Sequence, residues 1–323
     1  EVVLPFHPNG MLFEGLKGDE VVDSWTIYSV GGGALANEAS RLETPRSIYP
    51  LSTISEIKEW CYHEGKTFWE YVSDCEGPEI WDYLDTVWET MCATIQRGLN
   101  NDGVLPGGLK VARKASTYWV KSKSYTDSLS SRAKIYAYAL ATSEENASGG
   151  TVVTAPTCGS SGVMPAVLYH LSTSRNFLRI RILRALATAG LFGNVAKTNS
   201  SISGAEVGCQ GEVGVACAMA AAAACQLFGG TPSQIEYAAE MGLEHHLGLT
   251  CDPVCGLVQV PCIERNAIAA ARAFDANAYA TLSDGSHMVS FDKVVEVMNE
   301  TGHALPSLYR ETSEGGLAKR FKR

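Results

Sequence analysis

From Val213 to Cys225 the chain reads VGVACAMAAAAAC, thirteen apolar residues that are nearly all Ala, Gly, Cys and Val. Side chains this small cannot fill an interior by themselves. A helix made of them is stable only where other helices come close enough to make up the missing contacts. The run therefore predicts a buried helix with near neighbours. It is also the longest apolar run in the chain, and it falls short of the roughly 20 residues a membrane-crossing helix requires.

The remainder of the 323 residues supports a globular reading. Hydrophobic residues make up 46% and charged residues 19%, which allows a large core and argues against disorder. A net charge of −9 speaks against nucleic acid or an anionic membrane as a partner. The single basic run, Lys319–Arg323, reads as a solvated tail. Ten cysteines in a chain of this length, with no signal peptide in view, are expected to be reduced thiols in a cytoplasmic protein. The start at Glu1 without Met suggests a processed chain, a fragment or a trimmed version.

Helical periodicity dominates after residue 34. Trp81, Leu84, Trp88, Met91 and Ile95 recur at steps of 3 and 4, with Gly98 placed to cap the helix. Thr231-Pro232-Ser233-Gln234 has the form of a capping box with Pro at the first helical position. Ser290 opens another helix, expected to close at Gly302. Further helices are expected near 130–143, 162–172, 176–197, 210–228 and 262–275. Trp25–Tyr28 and Thr151–Thr154 read as short strands, and Lys17-Gly18-Asp19 and Pro8-Asn9-Gly10 as turns. The predicted fold is mainly α: an extended N-terminal segment or linker over 1–34, then a multi-helix domain over 35–323.

A free cysteine is among the most buried residue types, so core packing is the default reading for each. It suits Cys61, Cys75, Cys92, Cys217 and Cys225, which lie on or near helices. Cys209 differs, because glycines on both sides of Cys209-Gln210 let the backbone turn and approach a bulky group. Cys251, Cys255 and Cys262 fall within twelve residues broken by Pro253, Gly256 and Pro261. Their spacing is neither a zinc CxxC pair nor a ferredoxin run. From spacing alone a metal site is open, with zinc and iron–sulfur unresolved.

The longer motifs resemble those of the bacterial iron–sulfur L-serine dehydratases. They are Ser201–Gly214 (SISGAEVGCQGEVG), Glu244–Pro253 (EHHLGLTCDP) and Val260–Asn266 (VPCIERN). Shorter matches lie at Pro5–Met11, Ser29–Gly33, Gly103–Gly107, Val153–Thr157 and Glu311–Leu317. The resemblance covers nearly the whole chain as a catalytic α domain or α chain. It implies that Cys209, Cys251 and Cys262 hold a [4Fe–4S] cluster, with Cys255 a neighbour of the site and Cys158 in a turn close to it.

The implied reaction converts L-serine to pyruvate and ammonia. A cluster with three protein ligands leaves one iron free to act as a Lewis acid on the substrate hydroxyl. For the remaining roles the sequence offers candidates, each with a plainer alternative. His246, one turn ahead of Cys251, is a candidate base or a support for the ligand loop; His245 beside it is a candidate substrate contact. Lys197 could meet the carboxylate or be a solvated cation at a helix end. Thr154, Thr157 and Ser203 could offer hydroxyls to substrate or cap turns. Glu206 could orient the ammonium or cap the following helix.

Relatives in this family often end in a cysteine that folds back onto the open iron. This sequence stops at Ala318–Arg323 without one, so such self-capping is expected to be missing. A regulatory β domain or β subunit, and a homo- or hetero-oligomer, are expected partners. Two other readings keep the same residues: a cysteine desulfidase-like β-elimination releasing sulfide, and a non-catalytic iron–sulfur or zinc sensor.

Overall fold

Regular structure after residue 53 is helical in a computed structural model that describes residues 6, 10–31, 34–38 and 48–321. The chain divides into two units, Glu1–Ile48 and Tyr49–Arg323.

The first unit is an antiparallel meander of β1 (Gly10–Lys17), β2 (Glu20–Gly31) and β3 (Ala34–Ala36), in that order. The expected turn joins β1 to β2, with Gly18 at φ +67°, a conformation that costs glycine nothing. Trp25–Tyr28 lies in β2 as expected. Its Tyr28 is buried, donates to Glu38 at 2.8 Å and packs against the Phe6 ring at 4.7 Å. The segment expected to be extended is thus a sheet, in which successive residues of β1 and β2 pair from Gly10–Tyr28 onward, with a shift at Gly15–Leu16. His7, Pro8, Asn9, Gly32 and Gly33 lie outside the described residues.

The second unit holds α1 (Ile54–Glu64), α2 (Phe68–Glu76), α3 (Glu79–Leu99), α4 (Ala115–Ser122), α5 (Asp127–Ala147), α6 (Val163–Arg175) and α7 (Arg179–Asn199). There follow α8 (Gly204–Val207), a π-helical turn (Gln210–Gly214), α9 (Val215–Leu227), α10 (Pro232–Glu244), α11 (Cys262–Leu282), α12 (Phe291–Ala304) and α13 (Gly316–Arg320). The small-residue run forms α9, which packs against α6, α7, α10 and α11. Its residues from Val215 to Cys225 are all buried. A Cβ on Gly242 of α10 would lie 3.0 Å from the Ala218 backbone, so these two helices meet backbone to backbone. No described helix is long and apolar enough to cross a membrane, and all ten cysteines are free thiols.

Local signals placed the caps well where the cap is a side chain. Thr231 and Gln234 form the reciprocal capping box of α10, and Ser290 caps α12. Two glycines do something else. Gly98 lies inside α3, where a Cβ would sit 2.3 Å from the carbonyl oxygen of Ala141 on α5. Gly302 lies inside α12, 2.5 Å by the same measure from Val207 Cβ. Both allow helices to touch, and neither ends one. Thr151–Thr154 forms no strand; the Thr151 carbonyl accepts from the Thr94 hydroxyl and Arg97 in place of a ladder partner.

Candidate metal centre

The π-helical turn supplies the middle of the site. Before it, Gly208 adopts φ +77°, and a Cβ there would come within 2.8 Å of the Leu249 carbonyl oxygen. Gly211 and Gly214 are equally confined, the first against Val207 and the second against His246 Cβ. Three glycines in seven residues thus let the chain wind tightly past two other segments. The wider turn carries Cys209 at its start and turns Glu212 into the interior.

Cys209, Glu212 and Cys251 converge there, their ligand atoms all within 4.8 Å of one another. Glu212 Oε2 lies 3.8 Å from each of the two Sγ atoms. Its other oxygen accepts from the Thr157 hydroxyl at 3.1 Å. Thr157 in turn is 3.1 Å from the Ser160 hydroxyl, so the loop 157–162 is tied to the thiols through one carboxylate. Asn266, on the first turn of α11, fastens the same loop by donating to the Gly159 carbonyl at 2.7 Å and accepting from the Gly162 amide at 2.9 Å.

The electrostatics single out Cys209. The Cys251 S–H beside it favours its thiolate, and Arg265 adds to this, so that against the cost of burial the thiol is held down to about 7. The same contact, together with burial, pushes Cys251 up. Of the two, Cys209 is the one whose thiolate is favoured. Burial pushes the Glu212 carboxyl well above its ordinary range, and the charges of Cys209 and Glu311 add to the effect. Cys262 lies outside the tight trio. Burial pushes its thiol up to about 12, and it feels the charges of Cys209 and Glu212, which puts it within electrostatic reach of them.

Cys251 is held from the C-terminal side. Its amide donates to the Tyr309 carbonyl at 2.8 Å and its carbonyl accepts from the Glu311 amide at 2.5 Å. Asp252 accepts from the Leu317 amide at the start of α13 and from the Thr250 hydroxyl. Arg265 donates to the Thr250 carbonyl at 2.6 Å and stands 3.8 Å from Asp252.

The other predicted residues are placed as follows. Thr157 and Ser203 are buried beside the trio. The Ser203 hydroxyl has no hydrogen-bond partner among the described residues, and on the adjacent Gly204 a Cβ would lie 3.0 Å from Cys251 Sγ. His246 is buried, with Nδ1 2.7 Å from the Gly242 carbonyl. Burial, chiefly, lowers its pKa to about 4. Nδ1 therefore carries the proton and Nε2 is the acceptor. His246 and Arg265 line one groove, with Val213 and Pro261. His245 is exposed and bonded to the Met241 carbonyl and to Glu244. Lys197 is exposed on the last turn of α7, and Thr154 is exposed in the connection after α5. Glu206 is exposed on α8, with its backbone carbonyl taken by Arg310. The acidic side chain that reaches the thiols is Glu212, six positions on. Cys255 is exposed at φ +57° and stands apart from the trio. Cys158 is also exposed, and its thiol is raised by burial and by the Glu212 charge.

The donor set fits a soft metal centre. Two thiols and a carboxylate in one buried place, one thiol already acidified, suit iron–sulfur or zinc ligation. An orphaned hydroxyl at the same spot is a polar group still waiting for a partner.

Comparison with known proteins places these features in a family. The serine dehydratase alpha chain family matches residues 32–318. L-serine dehydratase 1 of Escherichia coli is 47% identical over 332 residues, covering 98% of this chain and 72% of that protein. An L-serine dehydratase of Streptomyces coelicolor is 46% identical with the same coverage. One from Mycobacterium tuberculosis is 42% identical over 98% of this chain and 73% of its own length. Cys209, Cys251 and Cys262, the Glu212 turn and the loop that Asn266 fastens all fall inside the matched residues: the chain belongs to the serine dehydratase alpha chain family.

Proposed function

We propose that this chain is an L-serine ammonia-lyase that forms pyruvate and ammonia, with a [4Fe–4S] cluster held by Cys209, Cys251 and Cys262. The observation that carries the reading is the meeting of Cys209, Cys251 and Glu212 within 4.8 Å, in a chain whose relatives are named L-serine dehydratases.

When bound, a cluster with three thiolate ligands supplies a Lewis acid for the leaving hydroxyl. The chain's own residues do the rest. Arg265, beside Cys209 and only partly exposed, is the cation we assign to the substrate carboxylate. The free Ser203 hydroxyl and Thr157 are assigned to polar substrate groups. Neutral His246 offers Nε2 as the acceptor for the Cα proton. The β-hydroxyl leaves with a proton as water, the remaining enamine tautomerises to an imine, and water releases ammonia to leave pyruvate. Glu212 holds the thiols and the Thr157 loop in one arrangement, a supporting role of the kind that fixes ligand orientation. Lys197, Glu206, Thr154 and His245 have no part in this reading.

The chain covers 72% of the length of these relatives, and a regulatory β domain or β subunit and a homo- or hetero-oligomer are part of this proposal. A cytoplasmic location without nucleic-acid or membrane partners accords with the net charge of −9. The test is purification without oxygen, followed by iron and sulfide analysis and assays with L-serine and L-cysteine. Cluster content with pyruvate from serine is the expected result. Sulfide release from cysteine in preference would make it a desulfidase, and a filled cluster without turnover would make it a sensor.

A further inference from the structure

A second cavity, of about 800 Å³, lies between α10, α11 and the loop 286–289, lined among others by Tyr237, Glu240, Arg272, Asp275, Tyr279 and His287. Its volume is in the range of roughly 300–1,000 Å³ common to small-molecule sites. Arg272 also lines the groove of His246 and Arg265, whereas the other five lie outside that groove.

Glu240 makes the cavity more than a gap in the packing. It retains 7% of its surface, faces the cavity, and receives no hydrogen bond or ion pair among the described residues. The charges nearest it on its own helix, Glu236 and Glu244, only repel it. The cations that pair with neighbouring acids or line the cavity have contacts of their own among the described residues. Lys58 is paired with Glu236, and Arg132 with Asp275. Arg272 donates to the His245 carbonyl, and His287 approaches Glu236 at 3.7 Å. A carboxyl buried without a partner is costly, and here burial and those two glutamates push it up to about 7. Next to it stands an aromatic wall. His287 is stacked on Tyr237 at 4.5 Å, and Tyr279 meets Tyr237 edge-on at 6.0 Å. Ring faces with a carboxylate at one end are the usual surroundings of a bound organic cation.

We propose that this cavity binds a small molecule bearing a primary ammonium group, with the cation on Glu240 and the apolar body against Tyr237 and Tyr279. The ligand is either a simple amine or an amino acid, the second using Arg272 at the rim for its carboxylate.

The test is calorimetric titration of the anaerobically prepared enzyme with n-butylamine, norleucine and 1-butanol. Both ammonium compounds bind at least about tenfold more tightly than the alcohol, the worth of one charge-assisted contact. Glu240→Gln removes that preference while keeping or raising the unfolding midpoint, since a costly buried carboxyl is removed, and Tyr279→Ala, at an exposed residue, weakens both. Norleucine tighter than butylamine identifies an amino-acid site, and equal affinities identify an amine site. Equal binding of alcohol and amine, unchanged preference in Glu240→Gln, or no binding of either ammonium compound overturns the proposal.

Discussion

Cys251 Sγ and Glu212 Oε2 are 3.8 Å apart although 39 residues separate them in the chain. The same oxygen is equally far from Cys209, so one carboxylate spans both thiols. Glu212→Ala is expected to cost about 10–100-fold in iron retention or in turnover, the usual effect of removing a group that orients ligands. Iron analysis and pyruvate formation under anaerobic conditions check this. Wild-type values for both would remove Glu212 from the centre.

The cysteines should separate into two classes. Cys209→Ala is expected to abolish iron content and pyruvate formation together. Cys217 is buried in α9 with its thiol against the Ala269 carbonyl. Cys217→Ala should cost about 1 kcal/mol of stability and leave iron content intact. Equal iron losses in the two variants would contradict the ligand assignment.

Gly98 is a steric prediction. A methyl group there would meet the Ala141 carbonyl oxygen at 2.3 Å, and the contact is between backbones that cannot rotate away. Gly98→Ala is a better helix former locally by about 1 kcal/mol, yet it should destabilise the protein by about 1–3 kcal/mol through overpacking. Urea denaturation of the two chains gives the sign directly.

His170 sets an acid limit. It is buried, with Nε2 2.8 Å from the Ser131 hydroxyl and Nδ1 without a partner. Burial first, then Lys134 and Arg175, lower its pKa to about 4. The unfolded chain binds this proton near pH 6.5 and the folded chain only near 4, so the contribution is complete above about 6.5 and fades as pH falls towards 4. The loss amounts to about 3 kcal/mol by pH 4. His170→Gln should be the less stable chain at pH 7 and close that much of the gap on acidification, measured by unfolding at a series of pH values. A gap independent of pH would mean that His170 is readily protonated in the folded protein.

Much of this fold is legible locally. The Thr231 capping box, the 3–4 spacing from Trp81 to Ile95 and the small-residue run of α9 all carry their meaning within one turn or one face. What escaped sequence reading depends on contacts across space. Gly98 and Gly302 look like caps because glycine commonly ends helices, and nothing near them in the chain announces Ala141 or Val207. Thr151–Thr154 has β-branched residues but no neighbouring strand to pair with. At the site, Glu206 and Glu212 stand in the same motif, and a regular helix gives no reason to choose the second. The choice is made by the π-helical turn, which is not apparent in the spacing. Asn266 and Arg265 were within a quoted motif, but only the fold shows them reaching the 157–162 loop and Cys209.

That same turn makes the site sensitive to chain length in a way that point changes are not. Each residue of a helix advances the side chains by about 100°, and a π-helical turn holds one residue more than regular winding requires. Deleting a single residue between Gln210 and Gly214 would remove that extra residue and reset the winding that leads into α9. The carboxylate would then swing out of register with both sulfurs. Indels here should therefore disrupt the centre and also displace Gly211 and Gly214 from contacts that only glycine fits.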